Sequence, residues 1–128
     1  MGNGPVIAIV DDDESSRAAM RGMVESLGYT VAAFASAVEF LGSDRVHDSA
    51  CLIADVRMPG MGGLELYDRL IAAGHPIATI FLTAFPDEKG NDRAIKAGAV
   101  CYLPKPCLRD DLLACIHSAL TRGAGRGA

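Results

Sequence analysis

Cys51-Leu52-Ile53-Ala54 is an unbroken apolar run; Asp55 ends it, and Met58-Pro59-Gly60 then breaks the direction of the chain. A strand with one wet face alternates apolar and polar residues, so an unbroken run reads as a strand buried on both faces, as in a parallel sheet covered by helices. Four more β-favouring runs accompany it, at 6–10, 30–34, 78–82 and 100–103. Helical patterns lie between them. Met20, Met23, Val24 and Leu27 recur at i, i+3, i+4, i+7 and are closed by Gly28. Leu64, Leu66, Tyr67, Leu70 and Ile71 are closed by Gly74, and Leu112, Leu113, Ile116, Ala119 and Leu120 mark the last helix. Ser36 with Glu39 forms a capping box for a short helix ending near Gly42. A fourth helix over 87–97, closed by Gly98, has Pro86 and Gly90 at its start and few apolar residues, so it is expected to be the least stable. Residues 43–49 read as a polar connection.

Five strands alternating with five helices call for right-handed βαβ crossovers. The expected fold is α/β: a doubly wound, flavodoxin-like, five-stranded parallel sheet in the common order 2-1-3-4-5, flanked by five helices. A chain of 128 residues, half of them hydrophobic, fits one domain. Its expected span is 6–121, between a disordered N-terminus (1–5) and a flexible Gly-rich tail (122–128). Twelve Lys and Arg against sixteen Asp and Glu give a net charge of -4 with no basic cluster, which argues against direct nucleic-acid binding. No apolar run approaches the ~18 residues of a membrane span, and the N-terminus lacks signal-peptide regions, so a cytoplasmic protein is expected. Cys51, Cys101, Cys107 and Cys115 form no C-x-x-C pair, and most sit in apolar runs; reduced, structural thiols are the expectation.

The chemistry gathers at the strand ends. Asp11 and Asp12 follow the first strand, Asp55 ends the third, Thr83 the fourth, and Lys105 follows the fifth. In a parallel sheet these positions share one edge, and order 2-1-3-4-5 places the first and third strands side by side at a topological switch point. Three carboxylates at close quarters call for a cation, and clustered oxygen donors suit a hard divalent ion such as Mg²⁺. Three aspartates, Mg²⁺ and Lys105 sum to zero charge and leave one carboxylate free to react. A phosphoryl group is the fitting electrophile, because a divalent ion and a lysine stabilise charge spreading over its oxygens.

These motifs, Ile9-Val10-Asp11-Asp12-Asp13-Glu14, Asp55-Val56-Arg57-Met58-Pro59-Gly60-Met61-Gly62-Gly63, Phe81-Leu82-Thr83-Ala84 and Tyr102-Leu103-Pro104-Lys105-Pro106, resemble those of response-regulator receiver domains of bacterial two-component signalling. The resemblance runs from about Val6 to Leu120. It implies a phosphoacceptor rather than an enzyme of metabolism: Asp55 takes the phosphoryl group from a sensor histidine kinase, a phosphotransfer protein or a small phosphodonor, and the domain assists its own phosphorylation and dephosphorylation. It implies Mg²⁺ held by Asp12, Asp55 and the backbone carbonyl of Arg57, with Asp11 reaching the ion through water. Thr83 and Tyr102 are implied as a switch pair, Lys105 as the phosphate-binding lysine, and the Lys105-Pro106 bond as cis. The surface made by the fourth helix, fifth strand and last helix is implied to change its contact with an output domain or downstream protein. Arg57 and Phe85 occupy positions that help set phosphoryl lifetime, and Cys107 departs from the family's usual large apolar residue. Two other readings compete. A haloacid-dehalogenase-type phosphatase would use Asp11 as nucleophile, with Asp13 completing a D-x-D pattern. A flavodoxin-like module would need a phosphate cradle where four consecutive acids stand.

Overall fold

A computed structural model of the chain describes the backbone of residues 5–127 and side chains as far as Arg122. Strands β1 (Val6–Val10), β2 (Thr30–Phe34), β3 (Ser49–Asp55), β4 (Ala78–Thr83) and β5 (Cys101–Pro104) form one parallel sheet in the order β2-β1-β3-β4-β5, as the sequence predicts. The helices are α1 (Glu14–Ser26), α2 (Ala37–Leu41), α3 (Arg45–Asp48), α4 (Gly63–Ala72), α5 (Glu88–Ala97) and α6 (Arg109–Gly127).

The unbroken apolar strands are explained by two cores, one on each face. Successive side chains of a strand point to opposite faces. Ile7, Ile9, Cys51, Ile53, Ile80 and Leu82 therefore meet Met20 and Val24 of α1 and Leu112, Cys115, Ile116 and Ala119 of α6. Ala8, Val10, Leu52, Ala54 and Phe81 face the other way, onto Phe40 of α2, Leu66, Tyr67 and Leu70 of α4 and Ala94 of α5. Tyr67 meets Phe81 edge to face, with centroids 5.9 Å apart. Each helix that covers the sheet thus contributes one apolar stripe.

Three features differ from the sequence expectation. The polar connection at 43–49 holds a sixth helix among the described residues, the single turn α3; its Val46 drops into the core, and one apolar residue among polar ones carries no periodic signal. The last helix stays helical through Gly127 rather than giving way to a tail near Arg122, for no proline interrupts it there, and the Arg122 guanidinium donates to the Gly98 carbonyl at 3.0 Å. Residues 1–4 of the expected disordered N-terminus, and Ala128, lie outside the described residues. The cysteines are not all reduced: Cys101 of β5 and Cys115 of α6 are joined in a disulfide, with Cα atoms 6.2 Å apart. That spacing lies in the bridging range, but it arises from how α6 lies across the sheet, chiefly over β3 and β4, which residue spacing does not reveal. Cys51 and Cys107 are free. Burial pushes the Cys51 thiol up to about 12.

Candidate functional site

The parallel register brings the strand ends level. Val10 pairs with Ala54, Asp55 with Leu82, and Thr83 with Pro104, so Asp11, Asp55, Thr83 and Lys105 leave the sheet along one edge. Backbone bonds continue just past the strands and fix these exits: Asp11 N–H donates to the Phe34 carbonyl at 3.1 Å, Val56 N–H to Leu82 at 2.9 Å, and Lys105 N–H to Thr83 at 2.8 Å.

Asp11, Asp12 and Asp55 each offer a carboxylate oxygen to one spot, all within 4.8 Å of one another. Asp11 is 3% exposed and Asp55 9%, while Asp12 faces solvent. The Lys105 ammonium enters between the two buried acids and donates to Asp11 Oδ2 at 2.7 Å and to Asp55 Oδ2 at 2.8 Å. One cation against three carboxylates leaves a net negative pocket. Oxygen donors concentrated in this way fit a hard divalent cation, so the acidic cluster is suited to bind a metal ion. Burial by itself raises the Asp11 pKa, yet bonds from Lys105, the Ser16 hydroxyl and the Asp13 amide together hold it below the usual carboxylate value. Burial likewise lowers the Lys105 pKa, and the bonds and charges of Asp11 and Asp55 outweigh it, leaving the ammonium more firmly protonated than usual.

The neighbouring turns hold the acids in place. Asp13 caps α1, accepting from Ser16 N–H at 2.7 Å, and this puts the Ser16 hydroxyl 2.7 Å from Asp11 Oδ2. The Arg17 guanidinium donates to the Asp11 carbonyl at 2.8 Å. On the other side Arg57 N–H donates to Asp55 Oδ1 at 3.0 Å. Gly63, the first residue of α4, passes so close to the Asp55 carbonyl oxygen that any Cβ there would collide with it. The glycines after Met61 therefore let α4 start directly beneath the acid.

Thr83 is 1% exposed, and its Oγ1 accepts from Phe85 N–H at 3.0 Å. Beyond it lies a cavity of about 240 Å³ lined by Val56, Arg57, Thr83, Phe85, Gly90 and Tyr102, among others. The Arg57 guanidinium lies over the exposed Phe85 ring, 5.1 Å from its centroid, and both residues line the cavity. Tyr102 also lines this cavity, its hydroxyl accepting from Asp87 N–H at 3.4 Å.

Asp11, Asp12, Asp55 and Lys105 thus converge in one cluster, Thr83 and Tyr102 border the adjoining cavity, and Arg57 stands between the two. Ser16 and Arg17 are absent from the sequence reading. Their signal is position in the first turn of a helix that begins at an Asp cap directly after a strand, where side chains turn back toward the preceding loop. The Lys105-Pro106 bond is cis.

A family model described as the response regulator receiver domain matches residues 7–117. The response regulator protein TmoT of Ectopseudomonas mendocina is 42% identical over 115 residues, covering 90% of this chain and 52% of that protein. The solved structure of the response regulator StyR superposes with a TM-score of 0.87 at 41% identity, over 95% of this chain and 62% of that one. The FixJ-N crystal structure gives 0.83 at 31% identity over 93% and 95%. The chain spans about half the length of the curated relatives it matches. Among the described residues no helix is long and apolar enough to cross a membrane.

Proposed function

We propose, starting from the fact that this chain belongs to the response-regulator receiver family, a family of signalling domains, that Asp55 is its phosphoacceptor. The observation that carries this reading is a buried carboxylate at a strand end, held by Lys105 beside two further acids. An Asp55 oxygen attacks the phosphorus of the donor in line. The bond to the leaving group, an imidazole nitrogen of a phosphorylated histidine or the acyl oxygen of a small phosphodonor, breaks as the aspartyl phosphate forms. Asp12, Asp55 and the Arg57 backbone carbonyl would hold Mg²⁺, with Asp11 reaching it through water; the ion supplies neutralisation of the charge developing on the phosphoryl oxygens.

The chain's own residues do the rest. Lys105 turns one N–H from Asp55 Oδ2 to a phosphoryl oxygen while keeping its bond to Asp11. Thr83 exchanges its bond from Phe85 N–H for one donated to another phosphoryl oxygen. Tyr102 turns in behind it, and the surface of α5, β5 and α6 changes toward an output domain or a downstream protein. The phosphoryl donor is a sensor histidine kinase, a phosphotransfer protein or a small phosphodonor, and the setting is cytoplasmic. The domain spans 6–121. The haloacid-dehalogenase reading, with Asp11 as nucleophile, is not favoured, because the family model and the relatives that match this chain are response regulators.

Intact-mass analysis after incubation with Mg²⁺ and acetyl phosphate tests the reading. One phosphoryl adduct that needs Mg²⁺ and is lost in Asp55→Asn is expected. An adduct that survives in Asp55→Asn, or none in the wild type, overturns it.

A further inference from the structure

Gly90 stands inside the first turn of α5, three residues after the Asp87 cap, where a glycine weakens a helix. Its N–H donates to the cap, Asp87 Oδ1, at 2.7 Å. Gly90 is not among the glycines at positive φ, so the helix has no need of glycine there for its backbone conformation; what distinguishes the position is the neighbouring space. A Cβ at position 90 would lie 2.5 Å from the Tyr102 hydroxyl oxygen and 3.2 Å from its Cζ. The first of these is closer than real Cβ contacts, so a side chain at position 90 would displace the ring from where it rests. Asp87 Oδ1 would lie 2.8 Å away, but that is the end of a short, rotatable side chain. The Tyr102 hydroxyl also accepts from Asp87 N–H, so the ring touches the helix start at its cap and at its bare third position.

We infer that Gly90 is a seat for the Tyr102 ring: a positioning residue whose missing side chain lets the phenol rest on the first turn of α5, tying the ring's orientation to the helix start. This rests on the reading of Thr83 and Tyr102 as the switch pair and deepens it by naming where the ring bears. The seated ring leaves the cavity beside Thr83 open, and Thr83 is turned to Phe85 N–H; both belong to the unphosphorylated arrangement. When the ring turns toward Thr83 it leaves the seat, and the start of α5 loses that support. By linkage, anything that unseats the ring favours phosphorylation, and phosphorylation unseats the ring.

The experiment uses the full chain with Gly90→Ala, Tyr102→Ala and the double variant. It reads amide exchange across α5 without phosphodonor, and the rate of phosphoryl gain from acetyl phosphate with Mg²⁺ by intact mass. In the wild-type background Gly90→Ala is expected to speed exchange at the start of α5 and to raise the phosphorylation rate by about fivefold. In the Tyr102→Ala background the same substitution is expected to slow α5 exchange by about fivefold, the ordinary gain of alanine over glycine in a helix, and to leave phosphorylation unchanged. A reversal of sign between backgrounds is an outcome that a purely helical role does not produce. Effects of the same sign in both backgrounds, or wild-type exchange and rate in Gly90→Ala, overturn the seat. If exchange reverses sign but no variant, wild type included, gains a phosphoryl group, the seat stands and the phosphoacceptor reading fails.

Discussion

Helices α1 and α5 both start at an aspartate cap just beyond a strand that ends at the acidic edge, yet they are held very differently. In α1 the cap is joined by Ser16 and Arg17, both bonded to Asp11, and Met20 and Val24 are sunk in the core. In α5 the cap is met by the Tyr102 hydroxyl through a long 3.4 Å bond, Ala94 is the one buried residue, and Ile95 is 49% exposed. A large side chain in the core contributes several times what an alanine does, so α5 adheres weakly to the sheet. The fixed helix adjoins the acids, and the loose one adjoins Thr83 and Tyr102. Residues that must hold a reaction geometry and residues that must move are thus separated along one sheet edge, by the amount of apolar surface each helix buries.

The sharpest way to break this contrast is to truncate one apolar side chain on each helix. Met20→Ala is expected to cost about 2–5 kcal/mol in urea unfolding, and Ile95→Ala under about 0.5 kcal/mol. Equal losses would mean that α5 is packed as firmly as α1. Hydrogen exchange measures the same difference without mutation: amides of α5 are expected to exchange about 10–100-fold faster than those in the middle of α1. Next come the caps. Asp13→Ala and Asp87→Ala each remove one cap and should each cost about 1 kcal/mol of local helix stability. In denaturant only Asp13→Ala is expected to lower the global midpoint, while Asp87→Ala should show in α5 exchange.

The smallest effect expected is a change in acid sensitivity. Asp11 binds its proton less readily folded than unfolded, so its contribution to stability is present above the unfolded value of about 3.9 and is lost as pH falls through the lower folded value. Ser16→Ala removes one of the bonds that hold that value down. Its stability should therefore fall less steeply with acid below about pH 4 than the wild type's. Lys105 works in the opposite direction: its contribution is present below the unfolded value of about 10.4 and is lost as pH rises through the raised folded value. Acid and alkaline denaturation midpoints at fixed salt check both signs.

Most of the framework is legible in the sequence because parallel sheets impose strong patterns. Strands buried on both faces show as apolar runs, helices as 3.6-residue stripes, and several helix ends as Gly28, Gly74 and Gly98, all at positive φ. The convergence of Asp11, Asp55 and Lys105 is legible for the same reason: once the strands are parallel, residues at their C-terminal ends must meet. What stayed hidden depends on contacts that leave no period. Val46 anchors α3 as a lone apolar residue, Cys101 meets Cys115 only through the way α6 lies across the sheet, and Ser16 reaches Asp11 only through the rotation of the first turn of α1. Gly90 is the instructive case. From the sequence it is a weakness in a helix; beside Tyr102 it is a space left open for a ring.

The disulfide turns part of the chain into a closed loop. Backbone from Cys101 to Cys115 and the bond between their sulfurs form one covalent ring, and Tyr102 and Lys105 both lie on it. In mechanical terms the segment is a linkage clamped at both ends, so it has fewer independent motions than an open loop of equal length. A displacement of Lys105 toward a ligand and a rotation at Tyr102 draw on the same small set of backbone freedoms. Reducing the bond would release one clamp and let the two residues move with less regard for each other, without altering a single side chain at the acidic edge.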